Sequence, residues 1–533
     1  MVLLLGSTAA PLPDSGSARL GNWCGGDLAA PDDVKTVLLP GYGPGGFAIT
    51  TRNPEAQAFF TNGMQLAHAF AHKAAIKAFQ EARRLDPDCA MCAWGEAWSS
   101  GPTINYGVDT DEALKKLADI TDTAEKLAEG ATVRERNLIG ALKLRHHKGG
   151  NAAFADAMEK IAAIAPKDDA VAVLTADARM IAAKDWNAET MARPVELLEA
   201  VLARNPDYAP AIHFYIHATE GAGYPKRAEA YADKLGIIAP AASHLVHMPS
   251  HTYYWIGRYG DAATSNLRAV QVDIRNAARL KLTGTDPAWT LSYHGHNVHF
   301  GLGGALMSGD AQTGLALARP TIEAIGRGGK VAEFRQFVGG MAYVTLARFA
   351  PPEEMLAAAR PHAGNKVATA LWHYARGEAL ARKGDVKGVL AEAGAIPGKG
   401  PPVSFGPAIG QVYRVGELVL RGRAATMQGK HARAAKLFEQ AAAIEEAKPL
   451  TEFADPPFWW YPVRRDVAAA LLAQGDTAGA LTAIEASLKH RPLDPTALAL
   501  RAQIQAKLGD KAAARRDRAQ ALVGWRGKTG PLG

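Results

Sequence analysis

The chain has 533 residues, which is more than one globular core usually contains. Its net charge of +7 and its 48% hydrophobic residues are typical of a folded protein. Its three cysteines exclude a disulfide-rich scaffold, and no run of about 20 apolar residues is present to span a membrane. Positive charge is spread along the sequence, and its one dense patch, Arg515, Arg516 and Arg518, is typical of a solvated helix face. We therefore expect neither a nucleic-acid partner nor a membrane span.

Residues 1–54 are dense in glycine and proline and predict an N-terminal extension that is irregular or partly β. Its first eleven residues combine a short apolar run with small residues, as in the remnant of an export signal. This favours a periplasmic or secreted protein and leaves a cytoplasmic one open. Short strands are expected at 34–39 and 47–51. A GxGxxG match at 41–46 is followed by no predicted helix, so nucleotide binding is not expected.

From residue 56 onward, small and apolar residues recur at helical steps of three and four. Segments 56–89 and 461–494 share small residues, a large apolar residue and a terminal proline in the order that resembles the tetratricopeptide repeat. Pro206 and Pro240 are 34 residues apart, which is the period of that family. The resemblance implies an all-α, right-handed superhelical solenoid of helix-turn-helix (TPR-like) repeats with a concave groove. We expect three regions: the extension at 1–54, a solenoid at 55–390, and C-terminal repeats with capping helices at 391–533.

Histidines are concentrated in the middle of the chain, where residues 213–299 hold eight of the sixteen. His213 and His217 are four residues apart, so they share one helix face, and Glu220 lies one turn further along it. His247 and His251 repeat the same spacing 34 residues later. Two positions of one repeat are therefore histidine again in the next repeat.

The tetratricopeptide resemblance implies that these first-helix positions line the concave surface. Neighbouring helices pack about 8–10 Å apart, so imidazoles from adjacent repeats can converge on one ion. Pro249 lies between His247 and His251 and predicts a kink or a restart of that helix. Such a change either aims the two side chains inward or separates them. The predicted metal ligands are His213, His217, His244, His247, His251, His296 and His299.

An all-nitrogen ligand set suits copper, iron or zinc, and seven candidates exceed the needs of one tetrahedral ion. We expect copper first, in a metalloenzyme that uses O2 to oxidise a small organic or peptide substrate in the groove. A zinc-dependent hydrolase is the alternative enzyme, with Glu220 as the catalytic base. A non-enzymatic scaffold that binds a peptide or protein in the groove is the alternative from another class.

Other candidates carry less information. Cys89 and Cys92 form a CxxC that suits a redox pair, a second metal site, a disulfide or merely buried thiols. His68 and His72 are a further pair that we expect to lie apart from the main cluster. The segments HFYIHATE, HLVHMPSH and HNVHF, with CAMCAWGEA, resemble a group of bacterial tetratricopeptide-repeat proteins of undefined activity, so this resemblance supplies no reaction.

Overall fold

The computed structural model describes residues 36–402, 406–452 and 456–532, and these fold into α-helical hairpins stacked along the chain. The all-α solenoid predicted from the sequence is confirmed. The helices before the histidine-rich region are α1 Pro54–His68, α2 His72–Leu85, α3 Ala90–Ser99, α4 Asp111–Lys126, α5 Val133–Arg145, α6 Gly150–Ile164, α7 Asp169–Ala182 and α8 Ala192–Arg204.

The histidine-rich region comprises α9 Ala209–Gly221, α10 Glu229–Ile238, α11 Ser243–His247, α12 Pro249–Trp255, α13 Tyr259–Arg279, α14 His294–Ser308 and α15 Ala311–Gly326. It is followed by α16 Glu333–Phe349, α17 Pro352–Ala357, α18 Lys366–Arg382, α19 Val386–Ala395, α20 Gly406–Met427, α21 His431–Glu445, α22 Arg464–Gln474, α23 Thr477–His490, α24 Pro495–Leu508 and α25 Lys511–Val523. Single 3-10 turns lie at Ala128–Gly130, Pro225–Ala228, Pro287–Thr290 and Leu450–Glu452.

Close packing within each hairpin follows from small residues on one helix that face a large residue on the next. A Cβ atom on Gly63 would lie 2.7 Å from Cε1 of Phe79, so only glycine allows α1 and α2 to approach this closely. The same arrangement recurs where Gly422 of α20 faces Phe438 of α21. In both hairpins the aromatic residue follows the glycine by sixteen positions, so the repeat is visible in the packing as well as in the sequence.

The N-terminal extension forms no strand between residues 36 and 53, so the strand expected at 47–51 is wrong. Side chains of the solenoid, rather than a neighbouring strand, satisfy its backbone. The amide of Asn62 bonds both N–H and C=O of Leu39, at 2.8 and 2.9 Å, and Gln57 Oε1 accepts from Ile49 N at 2.9 Å. The export-signal remnant and part of the strand expected at 34–39 lie outside the described residues.

This extension packs on the histidine-bearing repeats. Gly41 adopts φ of +88° and its carbonyl accepts a hydrogen bond from Ala241 N at 2.9 Å, in the turn between α10 and α11. Gly43, at φ of +78°, approaches Ala209 at the start of α9. The glycine-rich segment therefore closes tight turns against two helices and opens no helix of its own. Within the described ranges, no helix is both long and apolar enough to cross a membrane.

Candidate metal centre

Three consecutive repeats supply the central histidines. Helix α9 carries His213 and His217, and α11 and α12 together carry the equivalent pair of the next repeat. Pro249 is the first residue of α12, so the helix ends after His247 and restarts there, as its sequence predicts. The restart does not separate the side chains, because the rings of His247 and His251 remain 5.0 Å apart.

The buried imidazoles form two groups of three. In each group, one nitrogen atom of every residue lies within 4.8 Å of the others, which is the spacing that a shared ion requires. A third set, His217, Glu220 and His251, meets the same criterion and joins the two groups. We call them the first group, which comprises His213, His217 and His244, and the second group, which comprises His247, His251 and His296.

Within the second group, the Nε2 atoms of His247 and His251 face each other. His247 Nδ1 lies 2.7 Å from Asn266 Oδ1, and Asn266 is oriented by its own Nδ2, which donates to Ala262 O at 2.8 Å. His251 Nδ1 lies 2.9 Å from a carboxylate oxygen of Glu220. Both Nδ1 atoms therefore donate, so two neutral rings would place their Nε2 lone pairs 3.0 Å apart. A bound cation would remove this repulsion.

The first group repeats the pattern with one difference. His213 Nδ1 donates to the backbone carbonyl of His68 at 2.7 Å, so its Nε2 carries a lone pair. That atom lies 3.1 Å from His244 Nε2, while His244 Nδ1 has no partner among the described residues. Whichever nitrogen of His244 holds the proton, one buried polar atom remains unsatisfied. His217 Nε2 is likewise buried without a partner. Metal coordination would satisfy the Nε2 atoms of His213 and His217 and would leave one nitrogen of His244 without a partner.

Burial opposes a charged imidazole at several of these histidines. Burial, together with neighbouring histidines, lowers the pKa of His213 to about 3. Burial and then the charge of adjacent imidazoles also lower the pKa of His217, His244, His247 and His296 well below the usual value. At neutral pH these side chains are therefore neutral, which is the form that binds a metal ion.

Glu220 orients the second group from outside it. One carboxylate oxygen accepts from His251 Nδ1 at 2.9 Å, and the other accepts from Trp255 Nε1 at 2.8 Å. A carboxylate behind a histidine fixes the tautomer that points Nε2 at the metal and raises the basicity of the ring. Each oxygen thus accepts one hydrogen bond, and the carboxylate keeps further lone pairs for another donor.

Two phenylalanines cover the imidazoles. The ring of Phe70 is stacked on His244 at 4.8 Å and meets His213 edge-on at 4.5 Å. Phe70 adopts φ of +55°, a conformation that is costly for a bulky residue and that occurs at functional sites. Phe300 lies 4.8 Å from the ring of His247 and 4.7 Å from that of His251. The two groups therefore face apolar walls that exclude water.

Two expectations about individual histidines need revision. His68 and His72 do not lie apart from the cluster: His68 accepts the hydrogen bond of His213, and Phe70 stacks on His72 at 5.4 Å. Burial lowers their pKa values to about 3 and about 4, and neither ring has a hydrogen-bond partner among the described residues. His299 belongs to none of the three converging sets and packs edge-on against Phe337 at 5.1 Å.

Several residues that shape the site could not be identified from their sequence pattern. Asn266 and Phe300 follow no repeat pattern, and Phe70 comes from a turn 143 residues before His213.

Cys89 and Cys92 form a disulfide at the start of α3, which was one of the alternatives left open. Trp255 and Tyr293 also lie at the site, with the Tyr293 ring 4.3 Å from His244.

Comparison with known proteins adds little. No protein-family model and no curated protein matches the chain. Among solved structures, the human IFIT1 dimer with PPP-AAAA is 12% identical with a TM-score of 0.29, covering 89% of this chain and 91% of that one. The APC/C hetero-tetramer Cut9-Hcn1 is 11% identical with a TM-score of 0.28, covering 88% and 87%. At such scores the fold assignment depends on the hairpins described above.

Proposed function

We propose that this protein is a metalloenzyme in which the two histidine groups each hold one ion, with copper as the preferred metal. The observation that carries the proposal is the pair of Nε2 atoms of His247 and His251, 3.0 Å apart, whose Nδ1 atoms are both committed as donors. A metal ion between these two nitrogens would replace their mutual repulsion with coordination. Splayed imidazoles, each bonded to its own neighbour, would have favoured a peptide-binding scaffold instead.

Copper is preferred because of the ligand chemistry. Each group offers three imidazole nitrogens, and among divalent metals of the first transition row such sites bind copper most tightly. The hydrophobic cover from Phe70 and Phe300 also suits a redox ion, because a dry apolar shell controls solvent access and potential. Iron and zinc bind imidazole as well, so metal identity is the first quantity to measure.

The proposed reaction is the two-electron oxidation of a small organic or peptide substrate by O2. A copper pair bound to the two groups would relay two electrons, so that the substrate loses two electrons and two protons while O2 becomes H2O2. The protein residues bind the ions, exclude water and fix the imidazole tautomers through Asn266, Glu220 and the His68 carbonyl. Zinc-dependent hydrolysis is the alternative reaction, with Glu220, which accepts from His251 and Trp255, as its candidate base.

We also propose a periplasmic or secreted location. The disulfide between Cys89 and Cys92 supports it, because such bonds persist in oxidising compartments and are rare in the cytoplasm.

The test is elemental analysis by mass spectrometry on protein purified without an affinity tag, before and after separate loading with copper, iron and zinc. The variant His217→Ala/His251→Ala removes one ligand from each group, and His147→Ala/His362→Ala, at two exposed positions, is the matched control. We expect about two copper ions per chain in wild type and control, and loss in the first variant. Ascorbate-driven O2 uptake should follow the copper content.

Other results lead elsewhere. Stoichiometric zinc that copper does not displace would redirect the search to hydrolysis. Failure of all three metals to bind would overturn the proposal and make a peptide-binding or protein-binding scaffold the better account of the groove.

A further inference from the structure

A second polar cluster lies toward the C-terminal side of the histidine groups, and the proposed metal chemistry does not use it. Its residues come from α12, α16, the segment before α22, α22 itself and the end of α23. They combine guanidinium groups with aromatic N–H and O–H donors. We call this set the arginine–indole cluster, and it consists of Tyr254, Arg348, Trp459, Trp460, Arg465 and Arg491.

Two guanidinium groups share one indole ring. The Cζ atom of Arg348 lies 4.9 Å from the ring centre of Trp460, and that of Arg465 lies 5.0 Å from the same centre. Arg465 is paired with buried Asp494 at 3.1 Å. Burial, and then the nearby charge of Arg465, lower the pKa of Arg348 to about 10. The arginine–indole cluster therefore holds guanidinium groups close enough to repel one another.

The cluster also contains buried hydrogen-bond donors without acceptors. Trp459 Nε1, Trp460 Nε1, Arg348 Nε and the hydroxyl of Tyr254 have no partner among the described residues. The side chains of Trp459, Trp460 and Tyr254 are all more than nine-tenths buried. Unsatisfied buried donors are rare in folded proteins, and four in one cluster require an explanation. A bound anion would accept hydrogen bonds from them and compensate the guanidinium charge.

Nearby carboxylates do not already fill this role. Asp494 pairs with Arg465, and Asp466 pairs with Arg423 at 2.7 Å. Burial raises the pKa of Glu445 to about 8, so this carboxyl is mostly protonated at neutral pH and offers little negative charge. Glu378, whose charge also acts on Arg348, lies 3.5 Å from Arg423. Arg348 itself forms no ion pair with a carboxylate among the described residues, which favours an anionic ligand from outside the chain.

The cluster is continuous with the histidine groups through aromatic contacts. Tyr254 lies 6.2 Å from Phe300, which in turn lies 4.7 Å from His251. Arg491 lies over the rings of Tyr254, at 5.2 Å, and Trp255, at 4.6 Å. Trp255 donates to Glu220, the carboxylate behind His251. A molecule that contacts Phe300 could therefore reach both the guanidinium groups and the imidazoles.

We propose that the arginine–indole cluster binds the carboxylate of an organic acid, preferably an aromatic one. A guanidinium matches the planar shape of a carboxylate, and the surrounding rings favour an organic body over an inorganic anion that would lose its hydration. Its role as the anchor of the substrate depends on the proposed function, whereas carboxylate binding itself does not depend on metal. The metal-free protein therefore tests it separately.

The experiment uses isothermal titration calorimetry and tryptophan fluorescence on metal-free full-length protein. The probes are benzoate, neutral benzyl alcohol of similar shape, and inorganic phosphate. Arg348→Gln removes the cation and Trp460→Phe removes an N–H donor but keeps a ring. Arg319→Gln, at an exposed ion pair on α15, is the matched control. Thermal melting of each variant shows that it is folded.

We expect benzoate to bind and benzyl alcohol and phosphate not to bind. Arg348→Gln should weaken benzoate binding about tenfold or more, Trp460→Phe should weaken it by a smaller factor, and Arg319→Gln should leave it unchanged. The proposal is overturned if benzoate does not bind, if phosphate binds more tightly than benzoate, or if folded Arg348→Gln and Trp460→Phe both bind benzoate as wild type does.

Discussion

Replacing Glu220 with glutamine tests whether the second histidine group is organised as the geometry indicates. The carboxylate accepts two hydrogen bonds, from His251 Nδ1 at 2.9 Å and from Trp255 Nε1 at 2.8 Å. Glutamine has nearly the same shape but only one oxygen, so its amide N–H2 must face one of these two donors. The substitution therefore removes the negative charge and leaves a donor unsatisfied without creating a cavity.

The size of the effect follows from the lost interaction. A hydrogen bond to a charged group contributes about 1.5–3 kcal/mol, and losing the partner behind a metal-binding histidine weakens the metal by about 10- to 100-fold. These two estimates agree, since tenfold in affinity corresponds to about 1.4 kcal/mol. Only the ion held by the second group should be affected, because His251 belongs to that group while His213 and His244 do not.

The assay is a titration of the copper-loaded protein with a coloured chelator, which resolves the two ions by affinity. Glu199→Gln is the matched control, because that carboxylate accepts from Tyr215 at 2.6 Å and from Arg227, away from the histidines. We expect one of two ions to be released at about 10- to 100-fold lower chelator concentration in Glu220→Gln. Unchanged affinity at both ions, or equal weakening of both, would refute this organisation of the site.

Further substitutions probe the rest of the site. Phe70→Ala should lower the free energy of unfolding by about 3–5 kcal/mol and speed azide binding to the copper-loaded protein, measured by denaturation and by absorbance. His299→Ala should keep both ions in elemental analysis, since His299 is outside the converging sets. Cys89→Ser/Cys92→Ser should lower the free energy of unfolding by about 2 kcal/mol and leave the metal content unchanged. The pKa of His213 is about 3 in the folded protein and 6.5 in the unfolded chain. As the pH falls below 6.5, this histidine therefore takes up a proton in the unfolded chain but not in the folded protein, which stabilises the unfolded chain. Acidifying metal-free protein from pH 7 to 5 should therefore cost about 2 kcal/mol for this histidine, seen as a lower melting temperature.

The repeat register is what made the site visible in the sequence. His213 and His217 recur as His247 and His251 at the 34-residue period, and a repeat fold turns equal positions on successive hairpins into neighbours in space. Pro249 was expected to kink the helix or restart it, and the restart at that residue keeps the pair together. Local sequence therefore carried both the fold and the centre of the site.

What could not be predicted depends on contacts between distant segments. The carbonyl of His68 accepts from His213 across 145 residues, and no spacing rule connects a turn after α1 to the middle of α9. The strand expected at 47–51 failed for a similar reason: Glu135 of α5 binds Thr50 N at 2.5 Å and so occupies a backbone group that a strand would have paired. The local sequence indicated a strand, and side chains from the solenoid replaced its partner.

The two histidine groups arise from one repeated pattern but are not chemically equal. His213 is oriented by a neutral backbone carbonyl, whereas His251 of the second group is oriented by the carboxylate of Glu220. A negative charge next to a ligand stabilises the more oxidised form of a bound metal, so an ion in the second group would be harder to reduce than one in the first. Duplication of a repeat thus supplies two sets of candidate ligands, and the single carboxylate would make two bound ions differ in reduction potential.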